Sequence, residues 1–160
     1  MVKTKAMCNF SPQILVDAAK DAAVNAYAPY SRFRVGAALL ASSGRIYAGA
    51  NVENASYPCG ICAERSAVAR AVSEGERNFT AIALVAFEGD GEAKGVTPCG
   101  MCRQVLGEFA SKNGMDVFTL SEGGAIKRYA LDELLPHSFS INKKRVAGFE
   151  DSRRFGKSRR

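Results

Sequence analysis

The sequence predicts an α/β fold: a three-layer αβα arrangement around a mixed sheet of about five strands. Three observations carry this reading. Helix-spaced and strand-length apolar segments alternate along the chain. The run FTAIALVAF is apolar throughout, as expected of a strand covered on both faces. Glycine or an Asn-Gly pair closes the helical segments. The elements follow in the order αββαβαββ, which places helices on both faces of the sheet.

Each element has its own local cause. Ser11 and Pro12 form a cap and first-turn pair, and Ile14, Leu15, Ala18, Ala19, Ala22 and Ala23 recur at helical spacing, so a first helix is expected to about Tyr27. The APYS stretch breaks it. RFRVGAALL and RIYAGANVEN then flank an SSG turn and read as a hairpin. Cys62 to Glu74 is rich in alanine, arginine and glutamate and stops at Gly75, which suits a second helix. After FTAIALVAF, PCGMCRQVLGEFASKNG repeats the strand-then-helix step. Short strands near MDVFTL and AIKRYA precede a brief helix at LDELLP.

Size and composition narrow the function classes. With 160 residues, 47% of them apolar, the chain has material for one core. A single domain is expected over residues 1–142, followed by a basic, disordered tail over 143–160. No stretch reaches the roughly eighteen apolar residues of a spanning helix, and MVKTKAMCNF lacks the apolar run of a leader, so no membrane and a cytoplasmic location are expected. The net charge of +6 resides wholly in KKRVAGFEDSRRFGKSRR, with eight basic and two acidic residues. The rest has 22 − 8 = 14 basic and 16 − 2 = 14 acidic residues. A nucleic-acid partner is therefore expected, if anywhere, only through the tail.

Five cysteines without a secretory leader argue for metal or catalysis rather than a disulfide framework. Cys8 reads as an ordinary free thiol. The other four fall in two Pro-Cys-Gly-x-Cys units, YPCGIC and TPCGMC, each at a loop-to-helix junction where proline is favoured. Helix starts stabilise thiolates, so two of them brought together would offer a sulfur cluster to zinc. Three uses remain open on the residues alone: a closed four-cysteine structural zinc, a pair of redox dithiols, or a catalytic metal held by three thiols. Glu64, two residues after Cys62, has no use in a structural site, whereas a catalytic zinc keeps a position for water and wants a base beside it.

Cys62-Ala63-Glu64 followed by Pro98-Cys99-Gly100-Met101-Cys102 has the form of a zinc-deaminase signature. Together with YAPYSRFRVGAAL, GANVENASY, ICAER and LDELLPHSF, in order and spacing over about residues 11 to 140, the chain resembles the small homotetrameric cytidine deaminases. The resemblance implies one zinc ion per subunit on Cys62, Cys99 and Cys102, with water as fourth ligand and Cys59 outside the set. It implies hydrolytic deamination of cytidine and 2′-deoxycytidine in pyrimidine salvage, with Glu64 as proton shuttle. Arg65 would offset the excess negative charge of three thiolates. Asn51 and Glu53, on one side of a strand, would hold the ribose 3′-hydroxyl, and the Ala63 N–H a pyrimidine oxygen. Phe33 would stack on the base within its own subunit, Phe139 would reach into a neighbour's pocket, and Tyr57 would lie at a subunit contact. His137, the sole histidine, reads as a surface residue. The competing readings are a deaminase of a modified cytosine nucleoside or antibiotic, an editing enzyme acting on polynucleotides, and a structural-zinc module binding nucleic acid.

Overall fold

The computed structural model describes residues 10–141; Cys8 and the basic tail lie outside them. Helix α1 spans Pro12–Ala23, strands β1 and β2 span Phe33–Ala41 and Ile46–Ala50, and α2 spans Ala63–Ser73. They are followed by β3 (Phe79–Glu88), β4 (Gly91–Ala93), α3 (Gly100–Phe109), β5 (Asp116–Leu120), β6 (Ile126–Ala130) and α4 (Leu131–Leu134). A single turn of 3-10 helix at Tyr57–Cys59 precedes α2.

The sheet runs β2-β1-β3-β5-β6, with β4 folding back on the end of β3. Among the described strands β3 and β5 pair in parallel, with Ile82 opposite Val117, and the other pairs are antiparallel. Alternation along the strands separates two cores. Ala37, Leu39, Ile82, Leu84 and Val117 pack with Ala67, Val68 and Ala71 of α2 and Leu106 of α3. On the opposite face Ala38, Ala81, Ala83, Val85 and Phe118 pack with Leu15, Val16 and Ala19 of α1. The three-layer mixed sheet that the sequence predicts is thus present, with one strand more than expected.

The differences have local causes. β4 pairs Phe87 with Glu92 and Ala86 with Ala93 through a turn at Gly89, whose φ of +58° suits glycine. Its polar, glycine-rich sequence reads as a loop. α1 ends at Ala23 instead of near Tyr27, because the Tyr27 N–H leaves the helix to donate to the Asn51 carbonyl at 3.0 Å. Ser11 stands at the N-cap but makes no side-chain capping bond. β2 stops at Ala50, and Val52 pairs instead with Tyr27 and Ile61. α3 closes at Phe109, short of the Asn-Gly pair, because Ala110 turns to bridge Phe79.

Topology decides where the helices start. β2 and β3 both run antiparallel to β1, so they point the same way. α2 leaves from the end of β2 and α3 from the end of the β3–β4 hairpin, so both begin at one edge of the sheet, on the face opposite α1. Gly49 lets α2 lie close. A Cβ there would meet the Ala63 carbonyl oxygen at 2.8 Å and collide with the main chain of Ala67.

Candidate metal centre and adjoining cleft

At that shared edge Cys62 is the N-cap of α2 and Cys99 the N-cap of α3, both with extended backbone. Cys102 lies in the first turn of α3 and is fully buried. The sulfurs of Cys62, Cys99 and Cys102 all lie within 4.8 Å of one another. Cys59, in the 3-10 turn, is exposed and stands outside this group. Of the arrangements left open by the sequence, the fold assembles three thiols and sets the fourth apart.

The donor chemistry fits zinc. Sulfurs sharing one tetrahedral zinc at about 2.3 Å lie about 3.8 Å apart, a spacing this cluster reaches with small side-chain adjustments. Burial would raise the Cys99 thiol, but N–H groups of Cys102 and Met101 at the helix start and the Cys102 side chain outweigh it and hold the thiol below its ordinary range. Burial, reinforced by Glu64 and Cys62, pushes Cys102 strongly the other way. A cation held at the cluster would offset that penalty. Arg65 supplies further positive charge: its Nη2 lies 4.0 Å from the Cys62 sulfur and donates to the Gly60 carbonyl at 3.0 Å. Its buried Nε–H has no hydrogen-bond partner among the described groups, which suits a neighbour whose sulfurs are anionic.

Glu64 occupies the first turn of α2 and is 4% exposed, the one buried carboxyl among the described residues. Burial raises its pKa, against the opposing pull of its own N–H, the Cys102 thiol and Arg65. Ala63, the first residue of the same helix, is fully buried. Its N–H is one of those a helix start cannot bond internally.

A cleft of about 550 Å³ reaches the cluster at Cys62, and Arg65, Asn51, Glu53, Tyr30 and Tyr57 are among its other lining residues. Asn51 and Glu53 both line this cleft, but not through the strand alternation expected of them: β2 ends at Ala50, and Val52 and Asn54 line the same space. Asn51 and Glu53 are each fixed from behind. The Asn51 side chain accepts from the Val35 N–H at 2.7 Å and donates to the Phe33 carbonyl at 2.9 Å. Glu53 accepts from the Ser31 hydroxyl at 2.5 Å and from the N–H groups of Tyr30 and Ser31 at 2.9 and 3.3 Å. The hydroxyl contact above all, then the Tyr30 N–H, holds its carboxyl below the usual range. Tyr30 and Ser31 are absent from the sequence reading; the Tyr-Ser pair after a proline was legible only as a turn.

The aromatic candidates lie further out. Phe33 is half-buried at the start of β1 and does not line the cleft. Tyr57 is 78% exposed, with its ring edge-on to Tyr30 at 6.5 Å. Phe139 is 72% exposed and is not among the residues that line this chain's cleft. His137 is exposed, as expected.

Comparison with known proteins agrees with the geometry. Residues 11–115 match the profile of the cytidine and deoxycytidylate deaminase zinc-binding region. A cytidine deaminase of Sporosarcina psychrophila is 48% identical over 126 residues, covering 79% of this chain and 89% of that protein. The crystal structure of cytidine deaminase from Burkholderia pseudomallei superposes with a TM-score of 0.73 at 41% identity, covering 81% of this chain and all of that one. Cytidine deaminase from Mycobacterium tuberculosis gives 0.69 at 36% identity, with 83% of this chain covered. A matched region that contains both helix starts, their three thiols and the buried carboxyl between them makes this chain a member of the cytidine and deoxycytidylate deaminase family, with a zinc-binding centre.

Proposed function

We propose that the protein hydrolyses cytidine and 2′-deoxycytidine to uridine and 2′-deoxyuridine with release of ammonia, in cytoplasmic pyrimidine salvage, as a homotetramer with shared active sites. Family membership and the relatives' activity support the reaction class. The observation that carries the reading is Glu64, a carboxyl 4% exposed and turned inward beside three clustered thiols.

Cys62, Cys99 and Cys102 would hold the ion. Zinc in such a site supplies Lewis-acid activation of water, lowering its pKa to about 7. Glu64 takes up a proton from that water and delivers it to ring N3, which draws electron density from C4. A C4–O bond forms; the carboxylate, having given its first proton to N3, takes the second from the new C4 hydroxyl and passes it to the departing amine as the C4–N bond breaks and the C4 carbonyl forms, so one residue serves as base and then as acid. The raised pKa of Glu64 suits this exchange near neutral pH. Arg65 balances the sulfur charge, and the Ala63 N–H is placed to donate to the pyrimidine carbonyl oxygen. Asn51 and Glu53 hold the ribose 3′-hydroxyl, and the ionised Glu53 repels a phosphate at that position. Phe33, which stands outside the lining of the cleft in the single chain, would wall the base within its own subunit, as the family resemblance implies. Phe139 enters a neighbour's pocket, and Tyr57 lies at the contact between them.

The test is Glu64→Gln. The amide preserves shape but cannot exchange protons, so cytidine turnover should fall about 10²–10⁴-fold, with zinc content per chain unchanged. Turnover at the wild-type rate in that variant overturns the mechanism. Stripping zinc with a chelator should abolish the absorbance change on cytidine, and restoring the metal should recover it.

A further inference from the structure

The two residues that follow Cys102 reach a segment far along the chain. The guanidinium of Arg103 donates through Nε to the Pro98 carbonyl at 2.6 Å and through Nη1 to the Leu134 carbonyl at 2.7 Å. Its Nη2 donates to the Thr97 hydroxyl at 3.1 Å. Gln104 donates through Nε2 to the Phe139 carbonyl at 2.9 Å. One side chain therefore ties the Thr97-Pro98 segment that leads into α3 to the end of a distant helix.

Each bond has a structural consequence. The Pro98 carbonyl belongs to the peptide unit that leads into Cys99, and Pro98 itself is fully buried. Pinning that oxygen fixes the direction in which Cys99 leaves the loop. Leu134 is the last residue of α4, where a carbonyl has no partner within the helix; a charged donor meets it there. Between the two tethered carbonyls His137 takes a φ of +58°, a left-handed conformation that a residue with a Cβ keeps only when its surroundings hold it. Both ends of that turn are tied to α3.

We propose that Arg103 is a positioning residue of the metal centre. With Gln104 it fastens residues 134–139 to the helix that carries Cys99 and Cys102, so the grip on the metal and the placement of Phe139 are set by one clamp. This rests on the reading that the three thiols hold zinc and that Phe139 serves a pocket. A charge-assisted donor engaged three times is a stiff support. Groups that orient metal ligands from behind are worth about 10–100-fold in metal affinity or activity.

The experiment follows zinc release from the loaded protein to a chromogenic chelator, alongside kcat and KM for cytidine, in Arg103→Met, Arg103→Lys and Gln104→Met. Arg103→Met should release zinc about 10–100-fold faster than wild type. Arg103→Lys, which keeps one charged donor in place of three, should fall between them. Gln104→Met should keep the wild-type release rate but raise KM, since only the Phe139 tether is cut. A folded Arg103→Met variant that releases zinc at the wild-type rate overturns the role of Arg103, and an unchanged KM in Gln104→Met overturns that of Gln104. Where Arg103→Met does not fold, the lysine variant decides alone: faster release supports the clamp and wild-type release defeats it. Failure of the underlying function is distinct, because the wild-type protein itself would then bind no zinc and leave cytidine intact.

Discussion

Glu53 is engaged by three donors before any ligand arrives, so its ionised form is favoured in the fold. A carboxyl with a depressed pKa contributes stability that is fully present above its unfolded value of about 4.3 and is lost as pH falls through the lower folded value. KM for cytidine should accordingly stay flat from neutral pH down to mildly acid conditions. In Ser31→Ala, which removes the largest cause of the shift, the acid-side rise in KM should begin at higher pH; identical KM profiles for the two proteins would contradict the arrangement. The thiols make a separate prediction. Cys59→Ser should leave zinc content and kcat unchanged, because that sulfur is exposed and outside the cluster, whereas Cys62→Ser or Cys102→Ser should lose both. Metal analysis beside turnover checks this. Spacing showed two cysteine pairs at helix starts with Glu64 beside one of them, but left three or four thiols open; it was the family resemblance that singled out Cys62, Cys99 and Cys102, the three the fold clusters. Ser31, Arg103 and Gln104 were not legible, because each acts through a partner remote in sequence that only the fold brings near.

At the scale of elements, the approach of α2 to the sheet sets the height of Cys62 and Glu64 above the cleft. Gly49→Ala drives a methyl into the main chain of Ala63 and Ala67, and overpacking of this kind costs about 1–3 kcal/mol. The denaturation midpoint of the zinc-loaded protein should fall accordingly, with faster metal loss, since the helix that moves is the one bearing a ligand. A midpoint equal to that of wild type would mean that α2 can shift freely. Most of the element order was readable because apolar periodicity and glycine stops agree along β1, α2, β3 and α3. The element ends were not, since Tyr27 and Ala110 leave their helices for bridges to Val52 and Phe79. β4 escaped because a three-residue strand of Gly91, Glu92 and Ala93 carries no alternation to detect.

At the scale of the whole molecule, the described residues include Tyr27, Tyr57, Met101, Phe139 and Ile141 among their exposed large hydrophobic side chains. These suit the proposed assembly of four chains of 17.1 kDa, which sedimentation equilibrium would measure directly. Removing everything after Asn142 should leave the number of chains in the assembly and the cytidine turnover unchanged while abolishing any salt-sensitive RNA recovery, since the net charge of the remainder is zero. Among the described residues, no helix is long and apolar enough to cross a membrane. The parallel pairing of β3 with β5 has a consequence for biosynthesis. One ligand precedes β3 and the other two follow it, on the very helix that crosses over to β5. During translation the early half of the chain emerges with Cys62 alone of the three clustered thiols, so that cluster is not yet assembled. Capture of a metal by all three thiols would therefore wait until the crossover has left the ribosome and docked, which would make loading a late event.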